Sequence, residues 1–172
     1  MAPDQPTSRT LPLPVGPLRL VGPEGTTART LLGGRVVAFF WSPTGAEIAV
    51  LRLELPDDIV TEANRRSGAV LAIANKAADE AAAGLPLHLA FVDVATGSIR
   101  SERVVRLSDL FVNQVLPYFD QYALSHRFWS PDGASLVLPV VSDADVTQLF
   151  AIPGDGSEAH VVATGEMGSW SP

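Results

Sequence analysis

Apolar residues in this chain come in short runs, bounded by glycine, proline, aspartate and serine. Val36 to Trp41, Ile48 to Leu51, Leu87 to Val94, Leu136 to Val141 and Leu149 to Ile152 are each four to eight residues long. Runs of that length, rich in β-branched and aromatic residues, predict strands. Between them stand Pro43-Thr44-Gly45, Thr96-Gly97, Pro131-Asp132-Gly133 and Asp155-Gly156. Proline presets φ, aspartate or threonine bonds its own backbone, and glycine takes a positive φ, so each is a tight turn. The pattern predicts antiparallel hairpins, with Val36–Trp41 as one strand and Glu47–Leu55 as its partner.

One phrase recurs. Trp41-Ser42-Pro43-Thr44-Gly45 precedes the run at Ile48, and Trp129-Ser130-Pro131-Asp132-Gly133 precedes the run at Leu136. Trp170-Ser171-Pro172 stands at positions 170–172, so the phrase contains all three tryptophans. A strand pair with a glycine turn stands upstream of each copy. The spacing from Trp129 to Trp170 is 41 residues, within the roughly 40–45 of a four-stranded propeller blade. From Trp41 to Trp129 it is 88, which leaves room for insertions.

Trp-Ser-Pro-Asp-Gly, an apolar strand, a second strand, Asp-Gly or Thr-Gly and a fourth strand together resemble the TolB-type (WD40-like) β-propeller repeat. The resemblance covers roughly residues 17–55, 86–107 and 123–172, and implies an all-β partial propeller of antiparallel four-stranded blades. The Gly-His and Trp-Asp signatures of true WD40 repeats are absent, so their scaffolding partners are not carried over. The implied division is a leader over 1–16, outer strands of a first blade over 17–35, and a second blade over 36–107 with an insertion at 57–84. An inter-blade insertion over 108–122, a third blade over 123–167 and the start of a next blade over 168–172 complete it. That is about eleven strands, fewer than the four blades or more that close a propeller. The expectation is a piece of a longer protein, or a chain whose sheets other copies complete.

Asp57 or Asp58 can cap a helix, and Glu62 sits at ion-pair spacing before Arg65 and Arg66. The alanine-rich run up to Gly84 and Pro86 extends the prediction of a helical insertion. In the second insertion Ser108 is positioned to cap a short helix over Asp109 to Leu116, ended by Pro117. Pro139 is out of place in an inner strand and predicts a bulge or a strand end there.

In a four-stranded meander the turns after strands one and three share one end. Both insertions therefore project from the other end, which makes that end the candidate binding face. Its residues are Tyr118, Phe119 and Tyr122, the polar Asn113, Gln114, Asp120 and Gln121, and Arg65 and Arg66. His126, read as part of an inner strand close to that face, joins them. Aromatic side chains carry interface energy; the competing reading is that Phe111 and Phe119 pack the insertion down.

A net charge of −7 opposes nucleic acid and anionic membrane surfaces, and no apolar run reaches the ~18 residues of a membrane span. Zero cysteines exclude disulfides and thiolate metal sites. No Gly-x-Ser-x-Gly, Walker or His-Glu-x-x-His motif occurs, and His88, His126 and His160 have no metal-ligand spacing. Ser142, Asp143 and Asp145 sketch an oxygen site that a solvated turn explains as well. The expectation is a non-catalytic protein- or peptide-binding module without cofactor or metal. The alternative is an accessory propeller gating a prolyl-oligopeptidase-type hydrolase encoded elsewhere. The resemblance implies an extracytoplasmic home, and residues 1–14 lack the apolar segment of a secretory signal.

Overall fold

The computed structural model describes residues 16–25, 28–53, 86–142 and 144–171. Its strands are β1 (Gly16–Val21), β2 (Ala28–Trp41), β3 (Glu47–Leu53), β4 (Pro86–Asp93), β5 (Ile99–Arg106), β6 (Ser135–Val141), β7 (Thr147–Pro153) and β8 (His160–Thr164). They form a five-stranded sheet in the order β1-β2-β3-β4-β5 and a three-stranded sheet in the order β6-β7-β8, with every pairing antiparallel. The protein is thus mainly antiparallel β, as the runs predict. Among the described residues the two sheets do not close into a barrel or ring. The insertion at 57–84, Arg65, Arg66, Asp143, Pro172 and most of the leader lie outside the described residues.

The five-stranded sheet is apolar on both faces, which is why its runs lack alternation. On one face Phe40, Ala49, Leu51, Leu87, Leu89 and Phe91 bury against Leu136, Leu138 and Ile152 of the second sheet and against Phe111, Phe128 and Trp129. On the other, Ile48, Val50, Ala90 and Val92 bury with Leu18 and Leu31 of the β1–β2 hairpin. The hairpin folds over that face because β2 bulges. Its register jumps from Gly16↔Val36 to Leu18↔Leu32, leaving Gly33 and Gly34 as extra residues, and Gly34 takes a φ of +92°. Arg29 then reaches across the sheet to donate to the carbonyls of Val94 and Ala95. The separation expected at residue 35/36 is therefore not a break: one strand of 14 residues runs through it.

The two Trp-Ser-Pro-x-Gly turns are built alike. Ser42 N–H donates to the Glu47 carbonyl at 2.9 Å and Gly45 N–H to the Ser42 carbonyl at 3.0 Å; the equivalent bonds from Ser130 and Gly133 are 2.8 and 2.9 Å. The serine hydroxyl oxygens are buried and accept the next strand's amide, Glu47 N–H at 3.1 Å and Ser135 N–H at 2.9 Å. Gly45 and Gly133 both have φ of +71°. A serine there caps a strand start, which apolar periodicity alone does not reveal.

Aspartates secure three turns. Asp132 Oδ1 accepts from Ser130 Oγ at 2.5 Å and Ala134 N–H at 3.0 Å. Asp93 Oδ1 accepts from Thr96 N–H at 2.7 Å, and Asp155 Oδ1 from Ser157 Oγ at 2.7 Å. Donors favour the ionised form, so all three carboxyls titrate below the usual range. The main causes are the Thr96 amide for Asp93, the Ser130 hydroxyl for Asp132 and the Ser157 hydroxyl for Asp155. Because the folded value is the lower one, their contribution is complete above the unfolded value of about 3.9 and is lost as pH falls through the folded value. Thermal unfolding scans should show their share of stability unchanged from pH 7 to 5 and declining below about 4. A Asp93→Asn, Asp132→Asn, Asp155→Asn triple variant should flatten that decline, and an equally steep decline in the variant would refute the assignment.

Two local expectations are corrected. Pro139 sits mid-strand in β6, opposite Leu149 with no register break. Val137 N–H, two residues earlier, points away from β7 to the Phe128 carbonyl. The nitrogen of Pro139 faces the same outer side, where an edge strand tolerates proline, and its carbonyl still accepts Ser108 N–H at 3.2 Å. The third unit does not open with a strand at Ala123, because helix α1 (Phe119–Ser125) occupies that stretch. Only around Phe128 to Ser130 does the chain pair with β6, through the Trp129↔Leu136 bridge. The repeat's tryptophans differ in burial: Trp129 is 4% exposed and Trp41 is 45% exposed. Trp129 packs on the sheet that precedes it, with its ring 5.5 Å from Phe91 and Nε1 donating to the Phe40 carbonyl at 2.9 Å.

Candidate functional site

The site is the end of the five-stranded sheet opposite its tight turns. At one end Glu47 pairs with Asp93; at the other Leu53 pairs with Leu87 and Pro86 with Arg106. The chain therefore leaves β3 and re-enters β4 at the end where residues 107–126 stand, as the meander argument requires of both insertions.

Leu107 bridges to Val140, and buried Ser108 caps the next turn, its Oγ accepting Phe111 N–H at 3.3 Å and its carbonyl accepting Val112 N–H at 3.0 Å. A wide π-type turn spans Phe111–Val115, a tighter 3-10 turn Leu116–Tyr118, and α1 follows. Pro117 was expected to end the helix. It instead occupies the first turn of the next helical segment, where no amide is required.

The stretch is fastened from below. Phe111, Val115 and Leu116 are fully buried, and the ring of Phe111 lies 5.8 Å from that of Phe128 in an edge-to-face contact. Phe119 meets Phe39 of β2 at 5.2 Å, also edge to face. The packing role weighed for Phe111 and Phe119 is the one they fill.

Tyr118 and Tyr122 differ in duty. Tyr122 is half-buried against the main core, its ring 5.2 Å from His126, while Tyr118 is exposed. With Gln121 and Ser125 they line a shallow hollow of ≈ 260 Å³. Positions 118, 121, 122 and 125 share one helical face, a three-and-four spacing legible in the sequence. Ser125 is the member the sequence reading missed. Asn113, Gln114 and Asp120 are exposed around this end. Leu124, almost fully exposed, stands on α1 beside the hollow.

Comparisons with family models, with curated proteins and with solved structures find no match for this chain.

His126 is not in a strand, as was expected, but follows α1 as its cap, with its N–H donated to the Tyr122 carbonyl at 2.8 Å. Its ring stacks 6.1 Å from Phe128. Ser125 Oγ gives its single hydrogen to the Gln121 carbonyl at 2.9 Å. The 2.9 Å contact between Ser125 Oγ and His126 Nδ1 therefore needs Nδ1 to be the donor, which leaves Nε2 as the ring's other polar atom. His88 lies within β4, 3.5 Å from Glu102, and His160 opens β8, so the three histidines stay apart. Among the described residues no group of three or more histidine, aspartate or glutamate side chains could hold a metal, and no helix is long and apolar enough to cross a membrane. Around the turn after β6, Ser142 Oγ accepts Val146 N–H at 3.3 Å and Asp145 N–H donates to the Ser142 carbonyl at 2.9 Å.

Proposed function

We propose that this chain is a segment of a TolB-like β-propeller that serves as a non-catalytic protein- or peptide-binding module, engaging its partner at the end formed by residues 107–126. The matching bonds of the two Trp-Ser-Pro-x-Gly turns and the stacking of successive antiparallel layers support the propeller reading. The observation that carries the binding reading is the Tyr118–Gln121–Tyr122–Ser125 hollow. It offers aromatic faces with hydroxyl and amide groups at their edge. The contacts of Phe119 with Phe39 and of Phe111 with Phe128 fasten this stretch to the core beneath it, an arrangement that lowers the ordering cost of binding. Tyrosine suits such a surface, since its ring gives contact area and its hydroxyl direction at small entropic cost.

The test is a peptide-display selection on the full chain, with the enriched peptides measured by fluorescence polarisation. Tyr118→Ala should weaken them about tenfold, roughly 1.4 kcal/mol, while the melting temperature stays near that of the parent because Tyr118 is exposed. Val104→Ala, on exposed β5, is the control. Peptides bound equally by the parent and by Tyr118→Ala would refute the assignment of the site.

A further inference from the structure

The residues ahead of β1 carry a period of their own. Pro3, Pro6, Arg9 and Pro12 stand at intervals of three. A polyproline II segment turns once every three residues, so in that conformation the four share one edge. Such a segment makes no internal hydrogen bonds and holds its carbonyls out as unpaired acceptors. Residues 1–15 lie outside the described residues, and the chain enters the structure at Gly16.

That entry point is at the end of the sheet that carries the hollow. Gly16 pairs with Val36, Val36 with Arg52 and Arg52 with His88, one residue from the Leu53–Leu87 pair at that end. Phe39 of β2, on which the Phe119 ring rests, is three residues beyond Val36, about 10 Å at the rise of a strand. Five strands at ~4.8 Å spacing make the sheet about 20 Å across, and residues 3–15 in polyproline II form extend about 40 Å. The hollow is thus within reach of Pro6, Arg9 and Pro12. Its chemistry matches as well. Tyr118 and Tyr122 offer ring faces to proline, and their hydroxyls and the Gln121 amide can donate to bare carbonyls. Asp120, exposed beside Gln121 on α1, is opposite in charge to Arg9. Aromatic-lined grooves are the usual receptors of proline-rich segments.

We propose that the hollow recognises proline-rich segments in polyproline II form, and that residues 3–12 of this same chain occupy it. The edge formed by Pro6, Arg9 and Pro12 lies across the tyrosines, with Arg9 beside Asp120. This rests on the reading of the hollow as a peptide site and names the class of peptide it takes. A partner must then displace the chain's own segment. At the effective concentration of about 1 mM that a short tether gives, a segment whose dissociation constant in trans is about 0.1 mM is docked roughly nine-tenths of the time. A competing peptide then binds about tenfold more weakly than it binds the vacated hollow.

The absence of cysteine supplies a direct test, because Ser8→Cys in the full chain takes a nitroxide label at one place. The label should broaden the amide resonances of Gln121, Tyr122 and Ser125 and spare those of Gly45 and Gly97, in the tight turns at the opposite end. Adding Pro3→Ser, Pro6→Ser and Pro12→Ser, or Tyr118→Ala, should remove the broadening. Arg9→Glu should weaken it, and Arg9→Glu with Asp120→Arg should bring it back. The unlabelled triple-serine variant should bind the display-selected peptides about tenfold more tightly than the parent. Broadening that is absent, equal at both ends, or indifferent to the three serines overturns the proposal. Selected peptides that bind at Tyr118 with equal affinity in the parent and the triple-serine variant also overturn it, while leaving the hollow a peptide site. If no selected peptide depends on Tyr118, the peptide-site reading falls and takes the proposal with it.

Discussion

Trp129→Ala should lower the unfolding free energy by about 3–5 kcal/mol, while Trp41→Ala, the same change in the same motif, should cost roughly 1 kcal/mol. The difference lies in the neighbours. Trp129 is buried between the sheets, its ring edge-to-face with Phe91 and its indole nitrogen bonded to the Phe40 carbonyl. Removing it opens a cavity, takes away the edge-to-face partner of Phe91 and deprives the Phe40 carbonyl of the indole donor. Trp41, nearly half exposed at the end of β2, has no such slot to vacate. Urea unfolding of the two variants decides the matter, and comparable losses would show that the repeat, rather than the packing between sheets, sets the value of its tryptophan. Trp129→Phe separates the components: it keeps most of the apolar volume and forfeits the hydrogen bond, a net contribution of about 1 kcal/mol.

Phe111→Ala should also cost about 3–5 kcal/mol, with a second consequence that Trp129→Ala lacks. Phe111 is fully buried beneath the wide turn and braces Phe128, on which His126 stacks in turn. Its loss should loosen residues 107–126 before the sheets give way, seen as faster amide exchange at Tyr118 to Ser125 than in the strands. Binding of the peptides that recognise Tyr118 should weaken in parallel. Leu124→Ala, beside the hollow but almost fully exposed, should change stability by less than about 0.5 kcal/mol. A Phe111→Ala variant as stable as Leu124→Ala would mean that the insertion rests on other contacts.

What could be read from the sequence was mostly local. The turns were legible because proline, aspartate and glycine act within four residues, and the strand runs because each is long enough to fill a sheet. The placement of both insertions at one end followed from strand alternation alone, and the register of β3 with β4 and of β4 with β5 agrees with it. Features decided by distant neighbours were not legible. Pro139 looked out of place because nothing local says that its nitrogen faces an outer edge. His126 was placed in a strand because the apolar run after it suggested one, whereas the contacts of Phe119 and Tyr122 with the sheet favour one more turn of helix. Ser125 was within reach of a local reading, since it stands three residues after Tyr122, but it joins that face only once the stretch is taken as helix instead of strand. The unequal burial of Trp41 and Trp129 follows from which of them has a sheet in front of it.

The strand order of the larger sheet has a kinetic consequence. Each of β1 to β5 lies beside the strand that follows it in the chain, so three of the four pairings are short hairpins, and hairpins close within microseconds. Only the union of β3 with β4 must first bring together the ends of residues 54–85. For a connection of that length, bringing its ends together carries an entropic cost of about 3 kcal/mol, and doubling the length would add only about 0.6 kcal/mol. The β3–β4 seam is therefore expected to set the folding rate of this sheet. It is also the point where evolution or an engineer could lengthen the chain most cheaply, adding new residues at the end where the Tyr118 hollow already stands.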